Sequence, residues 1–212
     1  MALSQQLSIQ KGITAVIGSG GKTTLLRVLG QELSQHNRVL LCTTTKFLPF
    51  QNTPQLHTLT DEGSLFWAGT PVPDTPKYTT PPWDFKTLLH YFDYILVEAD
   101  GSAGLPFKAH LSHEPAIPPQ ANQTLCIVGL TGFGLPISQV VHRKERFCQL
   151  CGVADSELVS PQLVAKALQG ENLYTKVIAN QADTPHLQAL GQQLSSLLPC
   201  QTHILSLKEV LL

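Results

Sequence analysis

The run Ile13-Thr14-Ala15-Val16-Ile17, followed at once by Gly18-Ser19-Gly20-Gly21-Lys22-Thr23-Thr24, decides how the rest of the chain is read. The first five residues are strand-length and rich in β-branched side chains, and the stretch 22–34 carries Leu25, Leu26, Leu29 and Leu33 at helical spacing. A glycine loop closing from such a strand onto such a helix is a cradle for phosphate. Glycine lets backbone N–H groups turn inward, the helix N-terminus adds a partial positive charge, and Lys22 adds a full one. Thr23 offers a hydroxyl to the Mg²⁺ that accompanies a triphosphate. Gly18, Ser19, Gly20, Gly21, Lys22, Thr23 and Thr24 are therefore the candidate nucleotide-binding residues. The competing reading is a tight strand-to-helix turn whose glycines serve packing only, and a Gly-Gly-Lys-Thr-Thr placed directly after an apolar strand disfavours it.

The usual spacing would require glycine at position 16, where Val16 stands. The loop is the shorter GxxGKT form, like that of the Mur ligases. Outward from it, short β-branched runs alternate with amphipathic ones. Residues 39–42, 94–97, 125–130, 176–179 and 204–207 read as strands. Residues 84–92, 138–151, 161–168 and 185–198 read as helices, with Ser160 capping the third and Pro161 in its first turn. A short helix is expected within 61–69, capped by Asp61 or the preceding threonine. Continuous apolar strands separated by helices call for a parallel sheet covered on both faces. The expected class is α/β, a three-layer, doubly wound, mainly parallel sheet of six or so strands, P-loop NTPase-like. Ligands of such sheets sit beyond the C-terminal strand ends, so the residues just after each strand are where chemistry is sought.

After 94–97 come Glu98-Ala99-Asp100-Gly101. A carboxylate ending a buried strand beside a phosphate loop suits the Mg²⁺ shell, and one two residues on suits orienting or deprotonating an attacking group. Glu98 and Asp100, with Thr23, are the metal candidates; Lys22, Glu98 and Asp100 are the catalytic ones. The alternative is an ordinary Asp-Gly turn after a surface glutamate. After 176–179, Asn180-Gln181-Ala182-Asp183 has the spacing of the NKxD element of GTP-binding proteins, with Gln181 in place of its lysine. Either Asn180 and Asp183 fix loop and guanine, or the segment is a left-handed turn with an Asx cap for the next helix. After 39–42, Thr43-Thr44-Thr45-Lys46 offers Thr45 and Lys46 as switch or phosphate contacts, against a reading as plain strand threonines. Lys108, His142 and Arg143 are candidate contacts for an anionic substrate, with a solvated helix start as the competitor for the last two.

Charged residues are only 14% of the 212, and Lys+Arg 14 against Asp+Glu 15 leaves a net charge of −1. Binding to nucleic acid rests on neutralising phosphates with Lys and Arg, so a nucleic-acid partner is excluded, and so is a polybasic membrane anchor. No apolar run approaches the ~20 residues that span a bilayer. The start MALSQQLSIQ lacks a basic segment followed by an apolar one, and a cytoplasmic protein is expected. Of the 15 prolines, seven lie within 49–82 and four within 106–119, marking two irregular excursions, at about 46–83 and 101–120, in what reads as a single nucleotide-binding domain over 1–212. Five cysteines make no disulfide framework. Cys148 and Cys151 have CxxC spacing without a second pair to complete a zinc site, so packing is the simpler role.

GSGGKTT, TTTK, VEADGSAGLPFKAHLSHEPAIP, VVHRKERF and NQAD, in this order and at these separations, resemble the YqeC family. The resemblance runs from Gly12 to about Leu207, and EADGS with LPFKA and HEP is its most distinctive part. Members are described as accessory proteins for selenium-dependent molybdenum hydroxylases or as selenium cofactor biosynthesis proteins. The resemblance implies a P-loop protein that uses Mg²⁺ with ATP or GTP in maturing a selenium- and molybdenum-containing cofactor. Its partners would be the nucleoside triphosphate and that cofactor or the receiving hydroxylase. Two modes remain open: an NTPase or NTP-dependent transferase, Mur-ligase-like in its acceptor phosphate chemistry, or a nucleotide-switched chaperone with little turnover.

Overall fold

Residues 13 to 18 and the whole of Val39–Thr43 are buried, which is what strands covered on both faces require. The computed structural model describes residues 1–210. Its strands β1 (Gly12–Gly18), β2 (Val39–Thr43), β3 (Leu65–Trp67), β4 (Tyr94–Glu98), β5 (Ala121–Gly129), β6 (Lys176–Asn180) and β7 (Thr202–Ile204) form one parallel sheet flanked by helices. The order is β7-β6-β5-β1-β4-β2-β3. From β1 at the centre the chain runs to β2 and the edge strand β3, returns to place β4 between β1 and β2, and then fills the other side with β5, β6 and β7, the doubly wound plan of P-loop NTPase-like folds. The loop after β1 falls at the C-terminal strand edge where such sheets bind ligands.

Contacts group the chain into two compact units. The first takes Met1–Val16, Thr23–Asp100 and Ala116–Thr124. Its core joins Ile13, Leu40, Phe66, Leu88, Ile95 and Val97, and each large apolar side chain buried there stabilises the fold by about 1.5–3 kcal/mol. Helix α1 (Lys22–Leu33) buries Leu25, Leu26 and Leu29. The side chains of Asn122 and Gln123 answer buried polar groups of β1: Asn122 Oδ1 accepts Ile13 N–H at 2.8 Å, and Gln123 Nε2 donates to Thr14 Oγ1 at 2.8 Å.

The second unit takes Ile17–Lys22, Gly101–Pro115 and Leu125–Leu212. It holds helices α2 (Lys144–Cys151), α3 (Pro161–Glu171) and α4 (Pro185–Leu197). Ser160 Oγ accepts Leu163 N–H and Thr184 Oγ1 accepts Leu187 N–H, each cap followed by proline; such caps contribute about 1 kcal/mol apiece.

Four sequence expectations change. The 61–69 segment holds the edge strand β3 instead of a helix. Gly63, at φ 145°, breaks helical continuity, and Phe66 and Trp67 are buried while extending the ladder of Val39–Leu41. Asp61 caps no helix; its carboxylate accepts His57 N–H, Thr58 N–H and Thr58 Oγ1 in a loop. The 138–151 helix is broken, because β-branched Val141 pairs with Phe107 in a two-residue parallel ladder and Arg143 adopts φ 63° before α2 begins. The 84–92 helix is one α-turn, Phe85–Leu88, capped by Asp84. The last strand is Thr202–Ile204, and Leu207 opens a short helix. No helix among the described residues is long and apolar enough to cross a membrane.

Candidate functional site

In the second unit, the glycine loop turns sharply out of β1. Gly20 and Gly21 hold φ of 97° and 132°, and a Cβ at Gly20 would stand 2.5 Å from the Gly129 Cα, so only glycine fits. Ser19 is fixed by its N–H to the Ile127 carbonyl at 2.8 Å and by its hydroxyl to the Leu105 carbonyl. Lys22 is buried, and its ammonium donates to the Gly18 carbonyl at 2.6 Å and to Ser102 Oγ at 3.1 Å. The lysine thus folds back over the loop it follows. Ser102, within the EADGS segment, escaped sequence reading because a serine in a glycine-flanked turn carries no signal of its own.

Asn180, at the end of β6, is buried, donates from Nδ2 to the Gly20 carbonyl at 2.7 Å and accepts Leu207 N–H on Oδ1 at 2.9 Å. The rest of NQAD leaves β6 in an irregular segment. Gln181 has φ 69° and accepts Thr131 Oγ1 at 2.7 Å. Asp183 is exposed and accepts the Ser206 hydroxyl. The cap of α4 comes from the Thr184 hydroxyl and not from the Asx cap that the turn alternative offered.

The distinctive LPFKA, HEP and VVHRKERF pieces meet in this unit. Phe107 and Lys108 pair with Val141 and His142, and Ala109 N–H reaches the His142 carbonyl at 3.0 Å. Glu114 bridges Lys108 Nζ at 3.1 Å and Arg143 Nη2 at 2.9 Å, while Lys108 Nζ also donates to the Gly101 carbonyl at 2.6 Å. Burial alone would lift the Glu114 carboxyl, but hydrogen bonds from Arg143 and Lys108 and their charges outweigh it and hold it at about 2. Lys108 and Arg143 are thus committed to a carboxylate of their own chain. Cys151 donates Sγ–H to the Leu163 carbonyl at 3.2 Å, and burial pushes its thiol up to about 11 and that of Cys148 upward; thiolate chemistry is disfavoured at both.

In the first unit, the residue after Lys22 faces the end of β4. Thr23 Oγ1 donates to Glu98 Oε2 at 3.1 Å across 75 positions of sequence. Two oxygen donors so close are the hard ligands that Mg²⁺ prefers. Asp100 is buried two residues on, after Ala99 has paired with Val16 and Ala116 through its backbone. Thr43 Oγ1 donates to the Glu98 carbonyl at 2.8 Å and lies 3.1 Å from Thr45 Oγ1, so TTTK is tied to the backbone of the glutamate. Lys46 is exposed beyond it. Thr24, in the first turn of α1, is half-buried.

The parallel sheet and the GxxGKT loop after its central strand define an α/β protein of P-loop NTPase-like fold. The family model of YqeC protein matches residues 14–145. The chain is also 31% identical over 195 residues to Uncharacterized protein YqeC of Escherichia coli (strain K12), with 83% of this chain and 76% of that protein covered. The chain belongs to the YqeC family.

Proposed function

We propose that this protein binds a Mg-nucleoside triphosphate on residues 18 to 24 and cleaves it in the maturation of a selenium- and molybdenum-containing hydroxylase. The observation that carries the nucleotide reading is the buried Lys22 ammonium folded over a glycine-rich turn at the start of a helix. At Gly20 the turn leaves no room for a side chain, and its N–H groups, the helix end and the ammonium together favour a polyanion. Triphosphate would replace the Gly18 and Ser102 contacts of Lys22. Thr23 and Glu98 are the residues that would hold Mg²⁺, which supplies charge neutralisation at the β- and γ-phosphates. Asp100 would orient the attacking water or acceptor oxygen, whose new bond to the γ-phosphorus forms as the bond to the departing diphosphate breaks. The assignment to selenium and molybdenum chemistry rests on the family resemblance alone.

One observation favours a switch: Thr43 and Thr44 both bond the Glu98 carbonyl, which ties the start of TTTK to the residue that would meet Mg²⁺. Phosphate release by the purified chain separates the two modes. Turnover by the protein alone, lost in Lys22→Ala and Asp100→Asn, supports the enzyme. Negligible turnover by the protein alone that rises only with the candidate cofactor or partner present supports the switch, and no cleavage with or without it contradicts both.

A further inference from the structure

Within the first unit a cavity of ≈ 340 Å³ opens beside the Thr23–Glu98 pair, between α1 and the loop that follows β2. Its wall combines Thr23, Arg27, Lys46, Phe47, Phe50 and Glu98. Arg27 lies four residues after Thr23 in α1, so both side chains leave the same helix face. Neither the Arg27 nor the Lys46 side chain has a hydrogen bond or ion pair with another described residue. Two unengaged cations thus face one carboxylate, which already accepts the Thr23 hydroxyl.

The aromatic wall is held in place. Phe47 exchanges both backbone hydrogen bonds with Tyr78 at 2.9 Å. Its ring stands 5.3 Å from Phe50 and edge-on to Trp67 at 5.7 Å, and Trp67 packs edge-on against Tyr78 at 4.8 Å. Phe47 and Phe50 are more than nine-tenths buried, and the exposed Leu48 between them adds the open part of this wall. The loop therefore offers a preformed apolar surface next to two basic groups, the combination that recognises a flat or apolar body bearing an anion.

We propose that this cavity is the acceptor site: it takes a small molecule with an apolar, planar body and a carboxylate, sulfonate or phosphate, its anion between Arg27 and Lys46 and its body against the wall of Phe47, Leu48 and Phe50. The word acceptor rests on the nucleotide reading of Thr23 and Glu98; the binding of an anion with an aromatic body does not.

The test uses the full chain and two fluorescent probes, 1-anilinonaphthalene-8-sulfonate and its uncharged parent N-phenyl-1-naphthylamine. Saturable one-to-one binding of the sulfonate is expected, weakened at least tenfold in Arg27→Ala/Lys46→Ala, with the neutral parent held equally well by native and variant. Both side chains reach solvent, and the melting temperature checks that the variant stays folded. Phe50→Leu, which keeps an apolar core residue, should weaken both probes alike. Equal sulfonate affinity in native and double variant, or equal loss of both probes in it, overturns the proposal. Mg-ADP titrated into the same native sample judges the nucleotide reading separately: sulfonate binding with no Mg-ADP binding removes the acceptor role and leaves the anion cavity.

Discussion

The amide of Asn180 donates a 2.7 Å hydrogen bond to the carbonyl of Gly20, joining the end of one strand to the glycine loop 160 positions earlier. The same side chain accepts Leu207 N–H, so one buried group fixes two backbone segments. Asparagine is needed for both, because donor and acceptor act in opposite directions. Asn180→Asp would set a carboxylate oxygen against a carbonyl oxygen, and Asn180→Ala would leave two buried polar groups unmatched, at about 1–3 kcal/mol each. Either variant is expected to melt at lower temperature and to bind Mg-nucleotide about tenfold more weakly. Native affinity in Asn180→Ala would mean that the loop keeps its shape without the clamp.

Glu98 gives a metal-specific expectation. Glu98→Gln keeps a partner for Thr23 but removes the charge that a divalent cation needs. The Mg²⁺ concentration for half-maximal nucleotide binding should rise at least tenfold, while metal-free nucleotide binding stays near native. An unchanged Mg²⁺ titration would place the metal elsewhere.

The Glu114 bridge makes stability depend on acid. Its folded-state pKa is about 2 against an ordinary 4.5, so the folded protein binds the proton less readily than the unfolded chain. The contribution is fully present above about pH 4.5 and is lost as pH falls toward 2. Breaking the bridge takes the Glu114 charge away from the buried Lys108 ammonium, at about 3 kcal/mol. Denaturation of native protein and Glu114→Gln should differ by that amount at pH 6, and the difference should shrink below about pH 4.5 and close as pH falls through about 2. A constant difference across this range would show that the carboxylate charge is not what stabilises the fold.

Base choice follows from Asp183. If its carboxylate reads guanine, GTP binds more tightly than ATP and Asp183→Asn shifts preference toward a xanthine base. Ser206 already donates to that carboxylate, so Ser206→Ala should sharpen the preference for GTP. Equal binding of ATP and GTP by native protein would reduce the segment to the turn that Gln181 and Thr184 build.

The sheet was legible because its strands are buried on both faces and therefore written as unbroken apolar runs, as in ITAVI and YILV. The edge strand was not, because Leu65–Trp67 is three residues long and its pairing with Val39–Leu41 is non-local. The same limit hid the break at Arg143: a periodic helix reads through VVH until Phe107 and Lys108, 34 positions earlier, claim it for a ladder. The phosphate loop was readable from its glycines and lysine. The partners that organise it, Ser102 and the role of Asn180 on Gly20, depend on where distant turns fall. Arg27 carried the one local hint that was overlooked, its four-residue spacing from Thr23 on an otherwise ordinary helix.

The central claim is that residues 18 to 24 hold a nucleoside triphosphate through Lys22. Calorimetric titration of Mg-ATP and Mg-GTP into the native chain and into Lys22→Ala, both checked for folding by thermal melting, tests it most directly. One equivalent of at least one nucleotide should bind the native protein, with affinity reduced at least tenfold in the variant. Equal affinity in the two proteins, or no binding of either nucleotide to the folded native chain, would contradict it.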